Sequence, residues 1–255
     1  MGQTKRPGPE KAKSAAKTPV KKSLSKKAIP QWDRIFKALQ AWKAGLRPPE
    51  KSGGAAGEPS VSTVAERYKL DPWAVLVSTI ISLRTKDEVT LTASHALLAK
   101  APSPAALLEL AEDETARLIY PAGFYRTKAA NLKKIAAILI GQYAGQVPGD
   151  MEALLALPGA GRKTANLVLT EAFNKPGICV DTHVHRISNR TGWLSSRGPE
   201  ETEMILREIL PWKYWKPINA LLVMYGQRIC RPVSPFCSQC VISGHCLRQG
   251  VDKSR

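Results

Sequence analysis

Apolar residues recur at helical spacing along most of this chain. The first such stretch puts Trp32, Ile35, Phe36, Leu39 and Trp42 on one face of a helix, because positions three and four residues apart share a helical face. Comparable stretches follow with short breaks between them, and the alternation typical of half-buried strands does not occur. The pattern predicts an all-α fold built from many short helices.

Local capping signals set the boundaries of the later helices. Asp71 and Ser103 each precede a proline and Asp150 precedes an apolar period, so all three are expected as N-caps. Residues 47–60, rich in glycine and proline, predict a loop. One predicted helix begins at Ser103. The others cover residues 73–82, 87–100, 115–119, 127–140, 151–156, 162–173, 182–193, 200–210 and 215–228.

A strong positive charge, +17 over 255 residues, favours a polyanionic partner. Residues 1–28 are rich in Lys, Ala, Ser and Pro and predict a disordered basic tail. Nine basic residues and a single acid fall within residues 1–30, yet the rest of the chain is basic as well. The tail either solubilises the protein or attaches it loosely to nucleic acid. A transit peptide is the third alternative.

Length and composition bound the class of protein. A chain of 255 residues allows one or two domains with a sizeable core. No apolar run reaches the roughly 18 residues that span a bilayer, and the N-terminus lacks the apolar core of a secretory signal. Five cysteines in such a chain favour metal or cluster binding over disulfides. We therefore expect a cytoplasmic protein without membrane contact.

Four cysteines close the chain in a C-x6-C-x2-C-x5-C run, Cys230, Cys237, Cys240 and Cys246. Thiolates at this density are ligands for Zn²⁺ or an iron–sulfur cluster. Zinc sites usually pair two short Cys-x-x-Cys units, and only one such pair occurs here. The compact, irregular quartet favours a [4Fe–4S] cluster, with zinc as the alternative. Cys179, in an apolar run, is expected to be buried and to serve packing rather than redox chemistry.

A glycine turn lies between two predicted helices in the middle of the chain. Glycines at 159 and 161 permit positive φ and bring backbone N–H groups close to an anion, and the following helix adds the positive end of its dipole. The alternative is an ordinary connection that uses glycine for geometry alone. The segment expected to bind a nucleic-acid backbone consists of Leu157, Pro158, Gly159, Ala160, Gly161 and the charged Arg162.

Two residues near this turn are candidates for catalysis. Lys163 stands at the start of a helix beside Arg162, and both the dipole and that neighbour disfavour its ammonium form. A neutral amine is a nucleophile that can form a Schiff base. Asp181 follows the apolar run 178–180, where its carboxylate can stabilise a cationic sugar or move protons. The alternatives are a phosphate counter-charge for Lys163 and a helix cap for Asp181.

The order of these motifs resembles the endonuclease III family of DNA glycosylases. The turn is similar to that family's helix–hairpin–helix, and the segments 161–166, 180–183 and 189–191 and the cysteine run occur at the family's separations. The resemblance covers about residues 30–250. It implies a two-lobed fold, with a central lobe over 61–174 that holds the hairpin near 151–174. Residues 30–60 and 175–250 would form the lobe that binds the cluster.

The resemblance also implies an activity and a partner. The expected enzyme is a bifunctional glycosylase and abasic-site lyase that acts on oxidised pyrimidines in double-stranded DNA, as a monomer, near the nucleoid if bacterial. It implies that Lys163 attacks the sugar C1′ with Asp181 beside it, and that the four cysteines hold a [4Fe–4S] cluster. The rivals are a monofunctional glycosylase of the adenine or mismatch-thymine branch and a non-catalytic DNA-binding module.

Residues 82–87 are implied to fill the gap that an extruded nucleotide leaves. This chain departs from the family there, since Arg84 stands where many relatives carry Gln, and again at Leu155, where several carry Glu. Arg84 is expected to bind DNA, either by donating hydrogen bonds into the base stack or by holding a phosphate. Asp87 is expected to cap a helix rather than read a base. His183 is expected to be structural or to hydrogen-bond the backbone of the active site, and it is included among the expected DNA-binding residues.

Overall fold

The computed structural model describes residues 30–46 and 59–255. The predicted tail over 1–28 and most of the loop over 47–60 lie outside these residues. The described part is helical and contains no strand, which confirms the all-α prediction. Its α-helices are α1 Trp32–Ala44, α2 Ser60–Arg67, α3 Pro72–Ser82, α4 Asp87–Lys100, α5 Pro104–Glu109, α6 Glu112–Ile119, α7 Tyr125–Tyr143, α8 Met151–Leu155, α9 Arg162–Glu171, α10 Thr182–Thr191, α11 Pro199–Ile209 and α12 Pro217–Arg228.

The predicted N-caps are confirmed. The side chains of Asp71, Ser103 and Asp150 each accept a hydrogen bond from the backbone N–H three residues further on, at 2.8 to 3.2 Å. Helix α2 was not predicted, because its start carries no capping side chain of its own. Instead, the backbone N–H and hydroxyl of Ser60 donate to Asp87 on α4, at 3.3 and 2.8 Å. Asp87 is therefore structural, as expected, although it supports α2 rather than its own helix.

Buried apolar side chains form two separate cores. The first is built from α2 to α9, with Leu76, Ile80 and Leu132 among its fully buried members. The second combines α1 with α10, α11 and α12. Within it, Trp32 meets Trp193 edge to face, with ring centroids 5.1 Å apart. The two cores agree with two lobes, while the exact lobe boundaries stay a prediction.

The segment just before Asp181 runs between the two cores. Ile178 and Val180 are buried in the second core, whereas Cys179 is buried in the first. Neighbouring side chains of an extended chain point to opposite sides, so one short segment serves both cores. Asp181 is consequently the first polar residue after this segment, and it lies at the junction of the two cores. No helix in the described part of the chain is long and apolar enough to cross a membrane.

Candidate active site and nucleic-acid interface

A cleft of about 1320 Å³ opens where elements of both cores meet. Its wall is formed by the loop between α3 and α4, by Phe124, and by residues of α2, α4, α7 and α9 to α12. The structure brings Arg84, Lys163, Asp181 and His183 to this one cleft, while hairpin residues 157–162 lie outside its lining. The charged and titratable residues of the lining are Arg84, Lys86, Asp87, Glu88, Lys128, Lys163, Asp181, His183 and Arg228.

Asp181 is the N-cap of α10. Its Oδ1 accepts hydrogen bonds from the backbone N–H groups of His183 and Val184, both at 2.9 Å. This confirms the capping role. Both bonds use the same oxygen, so the carboxylate is held in one orientation while it lines the cleft with Lys163. Capping and catalysis are compatible for this residue.

His183 lies between Asp181 and the half-buried Arg186. Burial lowers the pKa of the His183 imidazole, Asp181 opposes this shift, and the positive charges of Arg186 and Lys163 add to it. The ring is therefore neutral at pH 7. Its Nδ1 is 3.0 Å from Nη2 of Arg186, and because a guanidinium only donates, the ring proton resides on Nε2. The same Nη2 donates to the carbonyl of Cys230 at 2.9 Å, which links the cleft to the cysteine loop.

The hairpin needs glycine at only one of the two predicted positions. Gly159 has φ +77°, and a Cβ there would lie 2.7 Å from Nδ2 of Asn131. The prediction of positive φ at Gly161 was wrong: this residue is the N-cap of α9 with φ −104°, an extended conformation open to any residue. A Cβ at Gly161 would meet open space. Glycine at 161 thus leaves room outside the protein, where a phosphate can approach the start of α9.

Two other hairpin residues are used differently from the prediction. Leu157 is 2% exposed, so it anchors the turn in the first core and offers almost no surface to DNA. Arg162 was expected to add free charge to the phosphate seat. Instead its Nε and Nη2 donate to both carboxylate oxygens of Glu203 on α11, at 3.0 and 2.8 Å. A partner from the second core therefore neutralises this guanidinium.

The Arg162–Glu203 pair connects the start of α9 to α11. Glu203 is 2% exposed, and Arg207 also donates to it at 3.0 Å. Burial raises the pKa of the Glu203 carboxyl, but hydrogen bonds from Arg162 and Arg207 outweigh it and hold that pKa below its usual value. Arg162 is therefore occupied by Glu203 and does not stand as a free charge beside Lys163. The pair instead fixes the helix start on which Lys163 stands.

Arg84 lies at the rim of the cleft in an unusual backbone conformation. Its φ is +54°, and its guanidinium lies 5.6 Å from the ring centroid of Phe124. Phe124 is 63% exposed, has φ +56° and also lines the cleft. Phe124 was not predicted, because a single aromatic residue after Gly123 belongs to no apolar period. The rim thus presents a cation and an aromatic ring together.

Comparison with known proteins identifies the family. Residues 77–212 match the family described as HhH-GPD superfamily base excision DNA repair protein. Endonuclease III of Thermotoga maritima is 48% identical over 176 residues, which are 69% of this chain and 83% of that protein. The chain belongs to the endonuclease III family. It is an enzyme, a DNA glycosylase of base excision repair, as its motifs indicated.

Other members of the family agree. Escherichia coli endonuclease III is 37% identical over 182 residues, 71% of this chain and 86% of that protein. The chloroplastic endonuclease III homolog 1 of Arabidopsis thaliana is 40% identical over 224 residues, or 84% of this chain, and this chain spans 58% of it. A solved structure described as a trapped endonuclease III–DNA covalent intermediate has a TM-score of 0.67 and 34% identity, covering 70% of this chain and 84% of that one. A thermostable thymine-DNA glycosylase, 22% identical with a TM-score of 0.65, shares the fold.

The family's cysteine loop follows α12. Cys230, Cys237, Cys240 and Cys246 are half-buried and form no disulfide. Among the described residues, no three or more His, Cys, Asp or Glu side chains are grouped closely enough to hold a single metal ion. Cys179 is buried apart from them, and burial raises the pKa of its thiol to about 12. The packing role expected for Cys179 agrees with this position.

Hydrogen-bond donors point at the sulfur atoms of the loop. The hydroxyl of the buried Tyr225 donates to Sγ of Cys240 at 3.2 Å, and Nη1 of Arg190 donates to Sγ of Cys230 at 3.4 Å. A backbone N–H also donates to Sγ of Cys246, at 3.4 Å. Donors to sulfur stabilise thiolates, which is the form in which cysteine binds metal. The donor set therefore fits a thiolate-bound group.

Proposed function

We propose that this protein is a bifunctional DNA glycosylase and abasic-site lyase that removes oxidised pyrimidines from double-stranded DNA. The observation that carries the proposal is that Lys163 and Asp181 line the same cleft. An amine and a carboxylate in one cleft are what Schiff-base chemistry at a sugar carbon requires. Membership of the endonuclease III family, and likeness to a trapped covalent DNA complex of that family, support the same reaction.

The proposed reaction begins with attack of Lys163 Nζ on C1′ of the damaged nucleotide. The C1′–N bond breaks, and the base leaves with the bonding electrons and takes up a proton. Positive charge develops at C1′ and the ring oxygen, and the carboxylate of Asp181 stabilises it. Loss of the amine protons and ring opening give an imine between Nζ and C1′. Removal of a C2′ proton then expels the 3′ phosphate by β-elimination, and water releases the amine.

We propose that DNA lies across the cleft between the two lobes, residues 61–174 on one side and residues 30–60 with 175–250 on the other. The exposed turn at Gly159 and Gly161 and the first N–H groups of α9 would bind one phosphate, since these N–H groups have no partner within the helix. The damaged nucleotide must leave the stack to reach Lys163. Arg84 and Phe124, at the rim, would occupy the gap.

For the cysteine loop we propose a [4Fe–4S] cluster bound by Cys230, Cys237, Cys240 and Cys246. When bound, the cluster ties the loop after α12 into one fold, because its assembly couples to folding. Tyr225 donates to one of its ligands, and this hydroxyl is held by its burial in the second core. The loop then supports Arg186, which contacts both the Cys230 carbonyl and His183.

Cluster binding has a direct test. Protein purified without oxygen is expected to be brown and to contain about four irons per chain. A Cys240→Ser variant is expected to lose most of the iron and to unfold at a lower temperature, because an oxygen ligand suits this group poorly. Cys179→Ser is the matched control and should retain all the iron. A colourless wild-type protein with one bound zinc would contradict the proposal.

The activity is tested with one wild-type preparation and two substrates. A duplex with a single oxidised pyrimidine should lose that base, and an abasic-site duplex with borohydride should yield a covalent protein–DNA adduct. Borohydride reduces the imine, so only a Schiff-base enzyme is trapped. Base release without an adduct would instead support a monofunctional glycosylase. DNA binding without base release and without an adduct would support a non-catalytic DNA-binding protein.

A further inference from the structure

A buried lysine that the proposed reaction does not use lies beneath the rim of the cleft. Lys128 is on the apolar face of α7, four residues before Leu132, and is only 6% exposed. Its Nζ donates to the carbonyls of Ile81 and Leu83, at 2.6 and 2.5 Å, and to Oγ1 of Thr85 at 2.8 Å. The three N–H donors of the ammonium group match three acceptors, so none is left for a phosphate or a sugar.

These bonds join the two segments that form the rim. Oγ1 of Thr85 also accepts from the backbone N–H of Gly123, at 3.1 Å. A Cβ on Gly123 would collide with the backbone oxygen of Arg84, so the two segments touch backbone to backbone. Lys128, Thr85 and Gly123 therefore hold residues 81–85 against residues 122–124. We call this set of contacts the rim knot.

Each segment of the rim knot presents one exposed residue in a left-handed conformation, Arg84 at φ +54° and Phe124 at φ +56°. Residues with side chains rarely adopt this conformation unless their surroundings impose it. Here the imposed conformations place the guanidinium 5.6 Å from the ring centroid. The relative position of Arg84 and Phe124 is thus set by the contacts of the rim knot and not by the conformational preferences of the two residues.

We propose that Lys128 is a positioning residue that holds Arg84 and Phe124 in the arrangement that fills the gap in the DNA, without touching DNA itself. The inference rests on the proposed function, because it assigns a role within that reaction. Burial lowers the pKa of Lys128 to about 8, so at neutral pH the group still carries the three protons that its acceptors require. Positioning by a buried group is effective in this setting, since a displacement of about 1 Å can cost roughly 100-fold in rate.

The chain supplies a matched control on the same helix. Lys133, five residues further along α7, donates to the carbonyls of Leu107 and Leu108 at 3.0 and 2.8 Å, and also to that of Leu110. Lys133 thus donates to carbonyls at the end of α5, as Lys128 does at the end of α3. Lys133 is not part of the cleft lining. Loss of either ammonium group should destabilise the fold to a similar extent. Only the loss at Lys128 should change the positions of Arg84 and Phe124 at the rim.

The experiment compares Lys128→Met with Lys133→Met in the full chain. One lesion is placed opposite each of the four bases, and single-turnover base release is measured with thermal unfolding. Lys128→Met is expected to release the base roughly 10- to 100-fold more slowly and to lose the differences between opposite bases. Lys133→Met should keep the wild-type rates and ratios at temperatures where it is folded. Equal behaviour of the two variants in both measurements would overturn the inference.

Two further variants keep the test decisive if Lys128→Met fails to fold. Thr85→Val removes only the hydroxyl that joins Lys128 to Gly123, and it should reduce the opposite-base ratios in the same direction. Combining it with Arg84→Ala should add little to the effect of Arg84→Ala alone, because both act through one rim. Full additivity, or a wild-type rate in Thr85→Val, would refute a positioning role. Failure of the wild-type protein to release any base would instead refute the proposed function.

Discussion

A Lys163→Gln variant is expected to form no borohydride-trapped adduct with abasic-site DNA. Glutamine keeps a polar side chain of similar length at the start of α9, but its amide nitrogen cannot attack C1′ or form an imine. Base release and strand cleavage should fall by at least about 1,000-fold, because removal of a nucleophile usually costs that much or more. The measurement is gel separation of the trapped complex together with single-turnover cleavage.

Loss of positive charge must be separated from loss of the nucleophile. Lys100→Gln removes one exposed charge at the end of α4, outside the cleft lining, and should trap DNA as the wild type does. DNA affinity of Lys163→Gln should fall only modestly, since one of many positive charges is lost. A trapped adduct at wild-type yield in Lys163→Gln would place the nucleophile elsewhere.

An Asp181→Asn variant is expected to fold normally and to release the damaged base about 100- to 10,000-fold more slowly. The amide oxygen of asparagine can still accept the N–H groups of His183 and Val184, so α10 keeps its cap. Only the negative charge opposite the developing sugar cation is lost. Single-turnover base release and chemical unfolding on the same preparation measure both effects.

Alanine and a second cap complete this comparison. Asp181→Ala removes the cap as well as the charge, and it should cost about 1 kcal/mol of stability in addition to the loss of rate. Asp150→Asn alters the corresponding cap of α8 and should leave base release unchanged, because Asp150 lies outside the cleft lining. If Asp181→Asn worked at the wild-type rate, Asp181 would be a cap and nothing more.

The helices were predictable wherever their signals were local. The caps at Asp71, Ser103 and Asp150 are satisfied within three residues, so the neighbouring sequence contained the whole reason for each helix start. Helix α2 was missed because its start depends on Asp87, which lies 27 residues away. The hairpin was found as a unit, but the conformation of Gly161 depends on its place as the cap of α9.

The motif residues of the site could be predicted from the sequence, but their hydrogen-bond and ion-pair partners could not. Lys163 and Asp181 were candidates from their local sequence, and the family resemblance implied their roles. The structure brings both to one cleft. The use of Arg162 was missed because Glu203 is 41 residues further on, in an acid-rich helix that looks like a solvated surface. Lys128 did leave a signal, since a cation on an otherwise apolar helical face must find partners. The sequence pattern alone does not show which acceptors those partners are.

The position of α1 has a consequence for how the molecule is made. Its side chains Trp32, Ile35, Phe36 and Leu39 pack only in the core completed by residues 178–242. A ribosome delivers α1 before those partners, and the intervening helices can close their own core in the meantime. The apolar face of α1 therefore stays uncovered until residues 178–242 have been synthesised. Nascent chains of this enzyme present an exposed apolar stripe that chaperones can shield during that interval.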